Sequence, residues 1–444
     1  MIHFVEALLK NRHFLKYGGN TVWLLTERVT QMGLAFLVGI FIARSLGPAA
    51  FGLLNFAISY GLLFSAFVLL GMDQILVKEL VKRPDEAGVI LGSGIALRLV
   101  GFGVMAAVVA GSSLLLDLDA RTRIMILLVL LGYVGVVMNG IDAFFQARVC
   151  ARYTAMATIS GSVIFAILNL LGCFYQFDLY FFALTNGMIV LFSAGVKWWI
   201  YNHSFSGIRS WRCSGREMKN ILRQSNWLFW QLAMNAVAAN VGYLILKLVC
   251  DNQVIGYYAV VIKVTACFIA ISEVICLSLF PAVLHVFDRP ELYRRRLNFL
   301  YFGNFWGSMA IVGAACLAGK FLVVLLYGDS YVQPGALLWV GLLCLPLSAI
   351  AQVFSRWCVI EGSQRALFIF SIGQAFGAVG ITWLLARQSG LTGAVLSYPL
   401  VYASGWLFCL FCGKRIRTEL KNICRALLSF GLLKTAVLHG VQEK

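Results

Sequence analysis

The chain has 444 residues, of which 61% are hydrophobic and only 12% are charged, and its formal net charge is +17. This composition leaves too little polar surface to cover a water-soluble globule, so the sequence predicts an integral membrane protein. Glycine is abundant (42) and proline is scarce (7), which favours closely packed transmembrane helices over barrel strands. We therefore predict an all-α membrane protein.

The first predicted element is a basic segment, 1–17, which lacks the pattern of a cleavable signal peptide and predicts a short interfacial helix. Apolar runs of about 20 residues follow, each long enough to cross about 30 Å of hydrocarbon. Twelve such spans fit the sequence: 21–43, 50–77, 88–116, 124–147, 154–175, 179–200, 225–249, 256–284, 299–326, 335–358, 366–386 and 392–413.

The longest stretch between spans, 201–224, is basic and divides the spans six and six. We predict an N-terminal lobe at 1–200, a cytosolic linker at 201–224, a C-terminal lobe at 225–413 and a basic tail at 414–444. The tail predicts an amphipathic helix on the inner leaflet rather than a thirteenth span. Its apolar stripe consists of Ile416, Leu420, Ile423, Leu427 and Phe430.

Basic residues alternate along the connections between spans. One set of connections, together with the segment 1–17 and the start of the C-terminal tail up to Lys421, holds 22 Lys and Arg, whereas the other set holds four (Arg44, Arg121, Arg123 and Arg387). By the positive-inside rule both termini are predicted to be cytosolic and the turn at Gly47 and Pro48 to face outward. The excess charge thus indicates orientation and contact with anionic membrane lipids, and we predict no nucleic-acid partner.

The second half of the chain repeats features of the first half at an offset of 204 residues. On the opening span of each half, polar residues fall on one helix face, which predicts that both faces line a polar interior. The alternative is that these groups only bond neighbouring helices together. Six spans return the chain to its starting side, so the two lobes are predicted to be related by a pseudo-two-fold axis along the membrane normal. The paired positions are Asn20 with Gln224, Glu27 with Gln231, and Gln31 with Asn235.

The outer tip ARSLGPAAFGLLNF and the second-span ending LGMDQILVKEL resemble the bacterial polysaccharide-unit (O-antigen, Wzx-type) flippases of the multidrug/oligosaccharidyl-lipid/polysaccharide (MOP) exporter superfamily. The resemblance in layout covers nearly the whole chain. It implies two six-helix lobes that alternate access in the bacterial inner membrane, with other polysaccharide-assembly membrane proteins as potential partners. The implied cargo is an undecaprenyl-pyrophosphate-linked oligosaccharide, moved from the cytosolic to the periplasmic leaflet.

Several ionisable side chains interrupt the predicted spans. Each costs about 3 kcal/mol at mid-depth unless it is paired or hydrated. As ligands for the pyrophosphate we select Arg28, Arg98 and Lys263, with Arg356 as a further cation, because a dehydrated anion needs fixed donors. The alternative is structural pairing, of Arg28 with Glu27 or Asp73 and of Arg356 with Glu361. Cavity-lining amides complete the predicted site: Gln31, Gln231 and Asn235.

Coupling to an ion gradient would require a carboxylate, since every histidine lies at a terminus or a loop edge. The candidates are Glu27, Asp142, Glu273 and Asp73, and either H⁺ or Na⁺ is compatible with them. We predict no cofactor and no metal, because the close pair Cys409 and Cys412 lacks a second pair or a histidine.

Two other functions remain open. A drug/cation antiporter of the same superfamily would need an acidic, aromatic cavity, whereas the cations counted within the spans at least match the acids. A membrane polysaccharide polymerase or ligase would need a large outer loop, and every predicted outer loop has about ten residues or fewer. The sequence therefore favours a transporter of an anionic lipid-linked glycan over an enzyme.

Overall fold

The computed structural model of the protein describes residues 12–116, 118–205, 207, 210–284 and 286–428, and the regular structure in these ranges is helical. The predicted interfacial helix at 1–17 falls largely outside the described residues, as does the tail after 428. The helices are α1 (Arg12–Leu63), α2 (Ala66–Leu69), α3 (Asp73–Lys82), α4 (Ala87–Leu115), α5 (Ala120–Met138), α6 (Gly140–Ala147), α7 (Ala151–Phe174), α8 (Leu179–Ser204), α9 (Gly215–Val249), α10 (Asn252–Leu284), α11 (Pro290–Tyr327), α12 (Val332–Leu342), α13 (Cys344–Ile360), α14 (Gln364–Cys409) and α15 (Lys414–Leu428), with short 3₁₀ turns at Pro84–Glu86 and Asp329–Tyr331.

Nine helical segments of the described chain are long and apolar enough to cross a membrane, or ten when the bent pair α12 and α13 counts as one span. This confirms the prediction of a multi-pass, all-α membrane protein. Two of the segments, Val22–Lys82 with 61 residues and α14 with 46, are far longer than the roughly 20 residues that one crossing needs. Each contains a non-helical glycine at which two helices meet, so dividing them there gives twelve segments.

The break in α1 falls at Gly47, where φ is +72° and Pro48 follows. A positive φ costs glycine little, and proline cannot donate the backbone hydrogen bond that would continue a helix. The sequence predicts a turn at this position. The corresponding break in α14 lies at Gly390, where φ is +55°.

The chain forms two compact units, one up to Leu244 and the other from Ile245 onward, so the division falls inside α9. The first unit contains α1 to α8 and most of α9. The start of α9 packs against the break before α3, where a Cβ added to Gly71 would lie only 2.6 Å from the backbone nitrogen of Phe229. The predicted functional division at 201–224 stays a prediction.

The second unit has an apolar core in which residues of α10, α11, α13 and α14 meet, including Tyr301, Phe354 and Trp357. Ile416 and Ile423 of α15 belong to the same core. The protein itself thus covers much of the apolar face of α15, and the predicted position of this helix at the inner leaflet stays a prediction. Its exposed face carries basic residues: Lys414, Arg415, Arg417, Lys421 and Arg425.

Candidate functional site

The first unit holds an ion pair between Asp142 and Lys197. The Nζ of Lys197 lies 2.7 Å from Oδ2 of Asp142, and Lys197 is only 4% exposed. Lys197 also donates to Oδ1 of Asn139 at 3.4 Å, and Thr154 donates to Oδ1 of Asp142 at 3.1 Å. Asp142 therefore has a fixed cation on one oxygen and a hydroxyl donor on the other.

The break between α5 and α6 explains why a carboxylate is held here. Asn139 separates the two helices, and Asp142 lies in the first turn of α6. The free N–H groups of a helix N-terminus carry partial positive charge and stabilise a nearby anion by about 0.3–1 kcal/mol. The backbone at this helix start and Lys197 thus both present positive charge to the same carboxylate.

Glu27 joins this cluster from α1. Its half-buried carboxylate accepts a hydrogen bond from the Thr158 side chain and lies within electrostatic reach of Lys197, Asp142 and Arg28. Two predicted coupling carboxylates and one predicted phosphate ligand are therefore brought together on α1 and α6. We call Glu27, Arg28, Asp142 and Lys197 the four-charge cluster. It contains two acids and two bases.

Sequence reasoning missed Lys197. The residue lies within the predicted span 179–200, so its charge was an available signal. Trp198 and Trp199 follow it, however, and tryptophans are typical of the membrane–water interface, where a lysine is inexpensive. Only the packing of α8 against the α5–α6 break shows that Lys197 is buried beside a carboxylate.

Arg98 is a second buried charge of the first unit, and it is paired with Asp73. Arg98 is completely buried, its guanidinium contacts the Asp73 carboxylate, and Nη1 donates to the backbone carbonyl of Val136 at 3.1 Å. Asp73 begins α3 just after the break at Leu70 and Gly71, so this carboxylate also lies at a helix N-terminus. In this conformation Arg98 can reach a phosphate only if its pair with Asp73 opens.

The polar stripe of α1 divides into two functions. Asn20 is a structural contact, because its Oδ1 accepts a hydrogen bond of 2.7 Å from the backbone nitrogen of Ala151 at the start of α7. Arg28 and Gln31, further along, are exposed on the helix surface. Asn20 thus bonds neighbouring helices together, as the alternative interpretation of the stripe predicts, while Gln31 stays a candidate for contact with cargo.

The matching polar stripe on α9 also has a structural first residue, followed by residues whose contact with cargo is only predicted. Gln224 accepts a hydrogen bond of 3.0 Å from Lys78 and donates to Glu79 at 3.2 Å, which ties α9 to α3. Gln231 is half-buried and Asn235 is exposed. Their predicted contact with cargo stays a prediction.

Arg83 joins the segment after α3 to α9. It bonds Glu217 at 2.6 Å, Glu79 at 2.8 Å and Glu86 at 2.8 Å. The hydrogen bonds that Arg83 donates to Glu217 and then to Glu79 raise the pKa of Arg83, so the guanidinium stays charged. The sequence indicated Arg83 only as an orientation charge.

In the second unit, the neighbours of Arg356 differ from the structural partner that was predicted as the alternative. Its Nη1 donates to the Cys276 sulfur at 3.0 Å and to the Gln352 carbonyl at 3.1 Å, and its guanidinium lies 6.0 Å from the Phe280 ring centroid. Glu361, its expected partner, contacts Arg415 instead. The predicted coupling residue Glu273 also lies within electrostatic reach of Cys276, so α10 and α13 bring Arg356 and Glu273 to the same place.

Lys263, the remaining predicted phosphate ligand, is half-buried on α10 near the thiol of Cys267. Among the residues that the structure describes, no group of three His, Cys, Asp or Glu side chains has the arrangement of a metal site. The candidate chemistry in both units is therefore that of charged and hydrogen-bonding side chains.

The fold is that of a membrane transporter of the MOP superfamily. It matches an inward-facing multidrug resistance MATE family transporter of that superfamily with a TM-score of 0.67 at 14% identity, over 89% of this chain and 96% of the other. The lipid II flippase MurJ, in an inward closed conformation, matches with a TM-score of 0.57 at 14% identity, over 96% of this chain and 93% of the other. A MOP superfamily transporter from Pyrococcus furiosus, noted for the reverse polarity of its binding pocket, matches at 0.55 and 13% identity, over 94% and 98%.

The chain belongs to the family described as polysaccharide biosynthesis protein, whose model matches residues 18–286, more than half of its length. No curated protein is significantly similar to the sequence. The matched folds are those of transporters and flippases, so the predicted fold of the MOP superfamily is confirmed.

Proposed function

We propose that the protein is a flippase that moves an undecaprenyl-pyrophosphate-linked oligosaccharide from the cytosolic to the periplasmic leaflet of a bacterial inner membrane. The observation that carries the proposal is membership of the polysaccharide biosynthesis family together with the MOP transporter fold. Family membership relates the chain to glycan assembly, and the likeness to transporter folds supports our proposal of transport by alternating access between the two leaflets.

The balance of charge within the helices supports an anionic cargo. Lys197 adds a fifth cation to the predicted Arg28, Arg98, Lys263 and Arg356, against the four acids Glu27, Asp73, Asp142 and Glu273. A drug/cation antiporter would benefit from the opposite excess. Arg28 has an exposed side chain beside the exposed amide of Gln31, which suits contact with a phosphate and a sugar hydroxyl.

The four-charge cluster is the proposed coupling site. A proton or a sodium ion that neutralises Glu27 or Asp142 would weaken the hold of that carboxylate on Lys197. Because α1, α6 and α8 each contribute a charge, such a change would alter the packing of three helices at once. This gives an ion gradient a physical route to helix movement.

The test is reconstitution of the purified chain into liposomes that contain an undecaprenyl-pyrophosphate-linked oligosaccharide. The fraction of glycan accessible to an added glycosidase reports its leaflet. We expect protein-dependent transfer between leaflets that a pH or sodium gradient accelerates, and loss of that acceleration in Asp142→Asn. Lys320→Gln, an exposed cation of α11, serves as the control.

Absence of transfer under every gradient would refute the flippase. Gradient-driven efflux of an organic cation such as ethidium from the same liposomes would support the antiporter in its place.

A further inference from the structure

The second unit contains an apolar groove between α10 and α11 that the candidate sites do not use. Its volume is about 300 Å³. Ile275 and Leu279 line it from α10, and Phe299, Gly303 and Gly307 line it from α11. All five residues are exposed, so the groove is open along its length.

The groove has a fixed floor. Ser272 of α10 donates to Oδ1 of Asn304 at 3.2 Å, and Asn304 donates to the Leu300 carbonyl at 3.0 Å. All of the polar groups in these bonds are deeply buried, so they hold α10 and α11 at a defined separation. A Cβ added to Gly303 or Gly307 would meet nothing within 4 Å, which shows that the missing side chains leave space above the floor.

Its length matches one leaflet. Phe299 and Ile311 mark the extent of the groove on α11, and 12 residues of helix rise about 18 Å. Half of a hydrocarbon core of about 30 Å is about 15 Å. An extended chain lying in the groove would therefore reach from one membrane surface to the midplane.

The end of the groove near Phe299 is basic. Arg296 lies seven residues before Gly303, which places it within about 20° of the same face of α11. Arg289 and Arg295 add two more cations at this end, where Asp288 and Glu291 are the nearby acids of the loop and first turn. The groove thus combines an apolar channel with cations at its surface end.

We propose that this groove holds the isoprenoid chain of a polyprenyl pyrophosphate, with the pyrophosphate at Arg296 and its basic neighbours. The assignment rests on the proposed function for the class of cargo, and it adds a specific seat for the lipid tail. The cationic end complements the several negative charges of a pyrophosphate.

The dimensions favour a single chain over the two other occupants of such a groove. Gly303 and Gly307 form a GxxxG pattern, which elsewhere packs a second helix. The groove holds about 300 Å³ over about 18 Å of helix, which suits one extended chain, and a packed helix is an outcome that the test distinguishes. A two-chain phospholipid needs room for a pair of chains, whereas a polyprenyl carrier presents one.

The test measures binding of undecaprenyl pyrophosphate to the purified full chain by native mass spectrometry in detergent. Gly303→Leu and Gly307→Leu place side chains in the groove, where the added Cβ atoms meet nothing within 4 Å, and leucine favours the helix over glycine. We expect each to weaken binding at least tenfold. Gly313→Leu is the matched control, because it lies on the same helix with equally open space but does not line the groove. It should bind like the wild type.

Four results would overturn the assignment. If both filled variants bind the carrier as the wild type does, the groove is not the binding site, although the flippase proposal stands. If the wild type fails to bind the carrier, the proposed cargo itself is wrong. If the filled variants lose phosphatidylglycerol binding to the same extent, the groove is a general surface for acyl chains. Dissociation of a wild-type dimer by Gly307→Leu, measured by light scattering, shows a helix interface.

Discussion

Each unit has a helix break at the equivalent position of the 204-residue repeat, but the residues that follow the break differ. Asn139 separates α5 from α6 in the first unit, and Leu343, 204 residues later, separates α12 from α13 in the second. At the third residue after each break stand Asp142 and Pro346, respectively. Proline is tolerated in a first helical turn, where its missing N–H is not needed. The backbone break thus recurs in both units, while the carboxylate is found in one.

The partners of that carboxylate follow the same division. At the offset of 204 residues, Lys197 corresponds to Val401, and Glu27 to Gln231. The second ion pair, Arg98 with Asp73, corresponds to Phe302 and Leu277. At these positions the first unit therefore carries ion pairs, whereas the second unit carries uncharged residues. We infer that ion coupling belongs to the first unit and lipid binding to the second.

We expect the largest effect from Lys197→Met, which tests this comparison between the two units. It leaves Asp142 and Glu27 without their buried cation, and breaking a buried pair from one side costs about 3–5 kcal/mol. We expect a large fall in the melting temperature of the purified protein and loss of transport. Lys320→Met, on the exposed surface of α11, should melt like the wild type.

The double variant Lys197→Met with Asp142→Asn tests whether the pair is coupling chemistry or scaffold. It removes both charges, so much of the lost stability should return while gradient-driven transport stays absent. Recovery of transport along with stability would show that the pair only holds the helices together.

The next effect concerns Arg98 and Asp73. Arg98→Leu removes hydrogen bonds to a charged group, worth about 1.5–3 kcal/mol, but Asp73 is partly exposed and can be hydrated. Exchanging the pair for the residues of the second unit, Arg98→Phe with Asp73→Leu, should restore stability as measured by thermal unfolding. Normal transport in that variant would assign the pair to structure, and its loss would assign Arg98 to the phosphate.

Much of the fold follows from the sequence, because the cost of exposing backbone groups to hydrocarbon makes apolar run length almost sufficient to predict helices. The turns at Gly47 and Gly390 follow from local backbone freedom. What the sequence could not supply is which charges meet. Glu27, Asp142 and Lys197 lie more than 50 residues apart, and their proximity depends on how α1, α6 and α8 pack.

The apolar stripe of α15 shows the same limit. Amphipathic spacing predicts a buried face, and a membrane surface and a protein core satisfy it equally. The deciding residue is Glu419, which lies within that face and bonds Arg294 of α11 at 2.6 Å. An acid on the apolar side is costly in lipid and acceptable beside a guanidinium, so this residue was the available signal.

A smaller effect is expected at Arg83. Arg83→Gln removes the ion pairs to Glu79 and Glu217, and Arg83 is about one-third exposed, so solvent screening limits the loss to about 1 kcal/mol. The loss should shrink further at high salt, because the exposed part of the network is screened. Thermal unfolding at low and high salt measures both. A loss that ignores salt would show that the geometry of the contact, rather than its charge, ties α9 to α3.

The smallest effect is expected for the surface pair of the second unit, Arg415 with Glu361. The Arg415 side chain is 60% exposed, and exposed ion pairs contribute about 0–1 kcal/mol. Arg415→Gln should therefore change the free energy of unfolding by less than about 0.5 kcal/mol and leave transport unchanged. The experiment to compare with it is Arg294→Gln, which breaks the ion pair between Arg294 of α11 and Glu419 of α15. If Arg415→Gln proved as damaging as Arg294→Gln, the docking of α15 would depend on its charged rim, and the apolar core around Ile416 and Ile423 would not be what holds it.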